Sequence, residues 1–257
     1  MNETTHYRAV ILDWAGTTID HGSNAPTRVF REIFAARGVE ITADEARGPM
    51  GRAKIDHIAA VAAMPEVTER WHAAHGAAPT DADIRAMYDE FLPLQRSILA
   101  GGCEVIPGVL DAIAALRAAG LSIGTTTGYT KALMEVVTPL AAAAGFEPDA
   151  VVCSDQVAAG RPAPWSIFRA AEELGVYPMD RILVADDTLV GVEAARNSGA
   201  VAVGVSLTGN MLGLTAEEAA ALSPEQKAHL VGPVEERFRE AGAHHVVESV
   251  ADLPGLL

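Results

Sequence analysis

The sequence is poor in cysteine and in positive charge. Its 257 residues include two cysteines, 19 lysines and arginines and 34 aspartates and glutamates, which gives a formal net charge of −15. Cys103 and Cys153 are too few for a disulfide framework or a zinc spacing, so we expect buried apolar residues in a reducing compartment. The acidic excess argues against nucleic acid or an anionic membrane as a partner, since both are bound through basic patches.

Long apolar segments are also missing. No run approaches the roughly 20 residues that cross a bilayer. The segment from Met1 to Tyr7 is polar and has no apolar signal-peptide core. We therefore expect a cytoplasmic protein. A hydrophobic content of 49% is sufficient for one large domain, or for a core that carries an inserted second unit.

Strand-like and helical segments alternate over most of the chain. Helical stretches separate the later strand-like runs, and this alternation is typical of an α/β fold with a doubly wound parallel sheet. The predicted strands are 8–13, 121–126, 150–154, 181–186 and 201–206.

The region from 22 to 100 breaks this rhythm and contains no convincing strand. Met50–Ala63 is predicted as a helix, and a capping box of Thr80 and Asp83 is predicted to open another. Gly101-Gly102 mark the return to the sheet. We therefore predict a first core segment over 1–21, an all-helical cap domain over 22–100, and the rest of the core over 101–257. Such an insert is well placed to cover the strand ends.

Polar side chains follow several of the predicted strands. Asp13 stands at the end of the first, where open parallel sheets bind their ligands. It is a candidate nucleophile or metal ligand, or alternatively an acid that caps a turn. Asp186 and Asp187 end the fourth strand, and two adjacent acids are costly to hold together without a cation. Asp13 and one of these acids would suit Mg²⁺, although one of the two could instead cap a helix.

Three other side chains stand out by their positions. Thr127 follows the second strand and can donate to a phosphoryl oxygen, or simply belongs to a Thr-rich turn. Arg161 follows the third strand and can pair with an anionic oxygen, or lies in a surface loop. Lys54 falls on an apolar stripe shared with Met50 and His57. Its burial would lower its pKa and free the amine to attack a carbonyl, with His57 relaying protons, whereas the alternative is a snorkelling lysine.

These residues, in this order, resemble the haloacid dehalogenase-like superfamily of phosphotransferases, and within it the phosphonoacetaldehyde hydrolase family. Asp13, Thr127, Arg161 and Asp187 match the four motif positions of the superfamily. The combination of Ala15 with Lys54 and a helical cap is specific to the narrower family. The similar passages include Asp13-Trp14-Ala15-Gly16-Thr17-Thr18, Gly48-Pro49-Met50-Gly51 and Gly160-Arg161-Pro162-Ala163-Pro164-Trp165.

The resemblance implies hydrolysis of the C–P bond of a small phosphonate, phosphonoacetaldehyde. It implies that Asp13 is the nucleophile and that Lys54 forms a Schiff base. Ala15 stands where many relatives carry a proton-donating Asp, so imine chemistry would take over the task of the missing acid. The remaining implied roles are Mg²⁺ ligation by Asp13, the backbone carbonyl of Ala15 and Asp187, phosphonate binding by Thr127 and Arg161, and a cleft around the aldehyde formed by Met50, Gly51, His57 and Tyr129.

One position departs from the family pattern. The family commonly has a second acid four residues beyond the metal-binding Asp, and here that position is Gly191, whereas Asp186 replaces a usual glycine. Either Asp186 supplies the missing carboxylate, or the metal is held more weakly. The alternatives to the main hypothesis are a phosphatase or phosphomutase of the same superfamily and a non-catalytic phosphonate-binding relative.

The resemblance also suggests a homodimer formed through the cap domain. An apolar stripe on the first cap helix would provide the interface, or would belong to the interior of the cap instead. The stripe consists of Val29, Phe30, Ile33 and Phe34.

Overall fold

A computed structural model describes residues 6–100 and 104–257. The predictions for Gly101, Gly102, Cys103 and most of the Met1–Tyr7 segment lie outside the described residues. The described strands form one six-stranded sheet, parallel throughout, in the order β3-β2-β1-β4-β5-β6. They are β1 (Ala9–Leu12), β2 (Ser122–Thr126), β3 (Ala150–Val152), β4 (Ile182–Asp186), β5 (Val201–Val205) and β6 (His245–Val247).

Helices cover both faces of this sheet, which confirms the predicted α/β fold. They are α1 (Asn24–Ala35), α2 (Ala43–Arg47), α3 (Lys54–Ala62), α4 (Pro65–His75), α5 (Asp81–Ala100), α6 (Val109–Ala118), α7 (Lys131–Ala143), α8 (Trp165–Leu174), α9 (Leu189–Ser198), α10 (Ala216–Ala220) and α11 (Pro224–Glu240).

The central strand β1 is buried on both sides because its residues alternate between two cores. Val10 and Leu12 pack into the core that includes residues of α6 and α7. Ala9 and Ile11 pack into the core that includes residues of α8, α9 and α11. This burial explains why the run is apolar at every position instead of alternating, and it places the end of β1 in the middle of the molecule.

The first five of the six helices between β1 and β2, α1 to α5, share a third, separate apolar core. Phe30, Phe34, Trp71 and Phe91 are its large members, and they are at most 2% exposed. The predicted capping box opens α5, since the Asp83 amide donates to Thr80 Oγ1 at 3.3 Å and the Thr80 amide donates to the Asp83 carboxylate at 2.8 Å. The division into segments 1–21, 22–100 and 101–257 stays a prediction.

The helix predicted over Met50–Ala63 begins later than the sequence indicated, because α3 starts at Lys54. Gly51 has a positive φ of 91°, which no ordinary helical residue adopts. A side chain there would lie 2.4 Å from Thr188 Oγ1. The segment before α3 is therefore a turn pressed against the core, and this contact sets the start of the helix.

The apolar stripe of Val29, Phe30, Ile33 and Phe34 is buried within the single chain, at no more than 2% exposure. Of the two interpretations, the interior of the insert is therefore confirmed, and this stripe is not available as a dimer interface. A homodimer through other surfaces of the cap stays a prediction. None of the helices in the described part of the chain combines the length and apolar character that a membrane span requires.

Because Phe34 is fully buried against Trp71 in this insert, Phe34→Ala should lower the free energy of unfolding by about 3–5 kcal/mol. Urea titration followed by fluorescence measures it. The matched control is Arg28→Ala, on the same helix but with 69% of its side chain exposed, which should change stability by less than about 0.5 kcal/mol. Equal effects of the two substitutions would contradict the assigned packing.

Candidate active site

The ends of the central strands bring three carboxylates together. Asp13 follows β1, Asp186 ends β4, and Asp187 follows it. Because β1 lies between β2 and β4, its end is the point where successive strands leave in opposite directions, which is where open α/β sheets bind ligands. Oxygen atoms of the three acids lie within 4.8 Å of one another, and all three side chains are buried.

Arg161 links two of these acids. Its Nη2 lies 2.6 Å from Asp13 Oδ1, and its Nη1 lies 3.0 Å from Asp186 Oδ2. The guanidinium also donates to Thr126 Oγ1 at 2.9 Å. Burial opposes the charge of Arg161, but the two carboxylates outweigh it and raise the pKa of this side chain. Arg161 therefore remains a cation in the interior.

Together, the three acids carry more negative charge than Arg161 offsets. Burial raises the pKa of Asp186 to about 6 against the opposing effect of Arg161, while Asp13 adds to the increase. Burial, Asp13 and Asp186 raise the pKa of Asp187. A hard divalent cation bound by oxygen would relieve this repulsion, since carboxylates are the ligands that such ions prefer. The donor set thus fits a metal ion of this class.

The absence of a side chain at Gly191 leaves space for the Asp186 carboxylate. A Cβ at position 191 would lie 1.9 Å from Asp186 Cγ and 2.1 Å from its Oδ2, so the Asp186 carboxylate occupies the volume that a side chain at 191 needs. The Asp186 Oδ1 accepts hydrogen bonds from the Thr188 amide at 2.9 Å and from its hydroxyl at 2.7 Å. The Asp186 carboxylate can therefore occupy this space only because position 191 is a glycine.

Lys54 approaches the same acids from the insert. It is the first residue of α3 and is 5% exposed. Its Nζ lies 5.1 Å from the ring centre of Tyr129, 5.4 Å from that of Phe30 and 5.9 Å from that of Phe91. Burial lowers the pKa of Lys54 to about 8 although Asp13 opposes the shift. A substantial fraction of the amine is therefore neutral near physiological pH.

His57 lies behind Lys54 rather than beside the acids. Its ring stacks on Phe30 at 3.7 Å between centres, and its Nε2 lies 2.8 Å from the carbonyl oxygen of Ala46. Burial lowers the pKa of His57 well below its usual value, and the positive charge of Lys54 adds to the shift. The ring is neutral, and its Nδ1 has no hydrogen-bond partner among the described residues.

A cavity of about 20 Å³ joins the Asp13 carboxylate, the Lys54 amine and the Arg161 guanidinium, and it has room for one or two water molecules. The insert therefore rests closed on the core. Eight of the residues singled out in the sequence line this cavity, while His57, Asp186 and Asp187 do not. The eight are Asp13, Ala15, Met50, Gly51, Lys54, Thr127, Tyr129 and Arg161.

Comparisons with known proteins show the family of this chain. A family model described as haloacid dehalogenase-like hydrolase matches residues 7–199. The chain belongs to this family. A phosphonoacetaldehyde hydrolase of Paraburkholderia xenovorans is 48% identical over 96% of this chain and 93% of its own length. One of Bacillus cereus is 46% identical over 97% and 94%, respectively. These relatives place the chain in the phosphonoacetaldehyde hydrolase branch of the haloacid dehalogenase-like hydrolases.

A solved structure shows the same architecture throughout. The phosphonoacetaldehyde hydrolase-like protein of Oleispira antarctica is 38% identical, with a TM-score of 0.95 over 98% of this chain and 92% of its own. The core and the helical insert are therefore both features of this branch of the haloacid dehalogenase-like hydrolases. The catalytic, substrate-binding and metal-binding roles assigned to individual residues stay predictions.

Sequence reasoning missed several residues around this haloacid dehalogenase-like site. Pro26, Gly128 and Thr188 line the cavity but carry no charged or nucleophilic group that singles them out. Thr17 donates from its hydroxyl to Asp187 Oδ1 at 3.2 Å, and the Asn210 amide donates to Asp187 Oδ2 at 2.7 Å. Thr17 belongs to the first motif and could have been found there, whereas Asn210 lies in a loop without any such pattern.

The close packing of Asp186 against Gly191 can be tested by substitution at position 191. Gly→Ala in a helix usually stabilises by about 0.5–1 kcal/mol. Gly191→Ala in α9 should instead destabilise by more than about 1 kcal/mol, because the Asp186 carboxylate must leave its partners in the interior. Chemical denaturation measures the difference.

Glu193→Ala is the matched control, since position 193 lies exposed on the same helix α9. It should be neutral or stabilising. In an Asp186→Gly background, the penalty of Gly191→Ala should disappear. A penalty that persists there would show that some other contact excludes the side chain.

Proposed function

We propose that this chain hydrolyses the C–P bond of phosphonoacetaldehyde to acetaldehyde and phosphate. The observation that carries the proposal is the pairing of a buried Lys54 amine with the Asp13 carboxylate across one closed cavity. An aldehyde needs an amine and a phosphonate needs a nucleophile, and this cavity offers both. The names of the close relatives support the same substrate.

Lys54 starts the proposed reaction. Its neutral amine adds to the aldehyde carbon, and loss of water with uptake of one proton from solvent gives a protonated imine that can accept an electron pair. The lowered pKa of Lys54 supplies the neutral amine, and the surrounding aromatic rings and small volume keep bulk water away. This step replaces leaving-group protonation, for which Ala15 provides no acid.

Asp13 then attacks phosphorus. A bond forms between a carboxylate oxygen and phosphorus, the C–P bond breaks, and its electron pair moves into the imine to give an enamine. Water hydrolyses the aspartyl phosphate and regenerates Asp13. The enamine takes a proton on carbon, and hydrolysis of the resulting imine releases acetaldehyde and frees Lys54. Arg161 and Thr127 are proposed to hold the phosphonate oxygens.

Mg²⁺ is the ion that we propose for the acid cluster. Asp13, Asp187 and the backbone carbonyl of Ala15 would hold it. When bound, it supplies positive charge that offsets the phosphonate and its developing negative charge. Asp186 is proposed to supply the carboxylate that Gly191 does not, since it lies in the same cluster and is held by Arg161 and Thr188.

Reductive trapping tests the function. With phosphonoacetaldehyde and borohydride, mass spectrometry should find the stable adduct on Lys54, and untreated samples should release phosphate. Asp13→Asn should keep the adduct while phosphate release falls by at least about a thousandfold, because only the step at phosphorus is lost. Lys227→Arg, at a partly exposed ion pair with Glu248, is the control that should leave both readouts unchanged.

The same assays separate the alternatives. A phosphatase or phosphomutase of the superfamily would hydrolyse phosphate esters at an undiminished rate after Lys54→Ala. A non-catalytic binding protein would bind the phosphonate but release no phosphate in excess Mg²⁺. Absence of a Lys54 adduct together with absence of phosphate release would overturn the proposal.

The rate of adduct formation should depend on pH through Lys54. The pKa of about 8 means that the amine is mostly protonated and unreactive below this pH. The initial trapping rate should therefore rise about tenfold per pH unit below a midpoint near 8 and level off above it. Asp13→Asn should move the midpoint to lower pH, because the Asp13 charge favours the protonated amine. A midpoint near that of free lysine would contradict the burial of the reacting amine.

A further inference from the structure

A side chain of the insert reaches the core loop that holds Asp187. Arg47 is the last residue of α2. Its guanidinium donates to the carbonyl oxygen of Gly22 at 2.6 Å, to Asn24 Oδ1 at 2.7 Å and to the carbonyl oxygen of Asn210 at 3.1 Å. Asn210 returns a hydrogen bond, since its Nδ2 donates to the carbonyl oxygen of Arg47 at 3.1 Å. Arg47 and Asn210 are thus joined in both directions.

Asn210 carries a second, separate contact on its backbone. Its amide donates to Asp187 Oδ2 at 2.7 Å, and the residue is only 5% exposed. The side chain and carbonyl of Asn210 therefore face the insert, while its amide orients a carboxylate of the acid cluster. Asn210 therefore connects the contact made by the insert to the orientation of the Asp187 carboxylate.

The loop around Asn210 is shaped for this double contact. At one end, a Cβ on Gly209 would lie 2.6 Å from Asp187 Cβ. At the other end, a Cβ on Gly213 would lie 2.4 Å from Arg47 Cζ, and Gly213 also has a positive φ of 62°. The 209–213 loop is therefore packed closely on both sides, and glycine is required where it meets each of them.

We propose that Arg47 and Asn210 are positioning residues that couple closure of the insert to the orientation of Asp187. Opening of the insert would remove Arg47 from the loop and release the amide that orients the carboxylate. Closure and metal binding would then favour each other, since coupling between two sites is reciprocal. This inference rests on the proposed function, because it concerns how the Mg²⁺ site of that reaction is held.

Calorimetric titration with Mg²⁺ alone tests the coupling. Arg47→Ala should weaken Mg²⁺ binding roughly tenfold, which is typical of coupled sites. Asn210→Ala should weaken it to a similar extent, and the double variant should lose little more than either, since both break one connection. Arg47→Lys should retain part of the affinity because it keeps a donor. Arg85→Ala, on an exposed side chain of α5, is the control that should bind Mg²⁺ normally.

Hydrogen exchange provides a readout that a purely structural role would not change. In the unaltered chain, Mg²⁺ should slow amide exchange in α2, although α2 holds no proposed metal ligand. In Arg47→Ala this protection should be absent. Mg²⁺ affinity in Arg47→Ala and Asn210→Ala within twofold of the unaltered chain would overturn the inference, as would unchanged protection of α2.

These experiments also distinguish failure of the coupling from misfolding of a variant and from failure of the proposed function. If Arg47→Ala does not fold, Arg47→Lys and Asn210→Ala carry the same comparison. Failure of the proposed function would appear as no phosphate release by the unaltered chain, whatever the Mg²⁺ affinities of the variants. Failure of the coupling would leave phosphate release by the unaltered chain intact.

Discussion

The buried contact of Arg161 with Asp13 and Asp186 is the interaction on which the rest of the site depends. Three carboxylates meet at the centre of the sheet, and burial raises the pKa of Asp186 and of Asp187. A guanidinium with a raised pKa keeps a permanent positive charge among them. It has the planar donors needed to contact two acids at once, which a lysine would not offer. A permanent positive charge therefore lies in direct contact with the proposed nucleophile.

The insert adds the second half of the chemistry by closing over this cluster. Its turn at Gly51 presses on Thr188, and its Arg47 contacts Asn210, so it touches the neighbours of Asp186 and Asp187 from two directions. Between these contacts it carries Lys54 into an apolar, aromatic enclosure. The same closure that lowers the pKa of the amine also keeps bulk water out of the cavity. Burial of the lysine and protection of the proposed intermediates therefore arise from the same closure.

Local sequence patterns were sufficient to predict much of this fold. The strand ends at Asp13 and Asp187 followed from short apolar runs that stop at acids, and the parallel sheet followed from their alternation with helices. The predicted start of α3 was wrong, because the helix start is set by a contact of Gly51 with Thr188, which lies 137 positions later. The strand β6 was not predicted, because Val246 and Val247 are the only apolar residues between His245 and Glu248. Arg47 and Asn210 are 163 positions apart, and nothing local marks either of them.

The shared volume of Asp186 and a side chain at position 191 also limits how such a site can change over time. A side chain at position 191 would overlap the carboxylate atoms of Asp186, so the structure has no space for both. A lineage that moves the acid from one position to the other must therefore pass through a form with no carboxylate in that space, or change both codons together. The two positions are thus expected to vary as a linked pair, and each arrangement tends to persist once it is established.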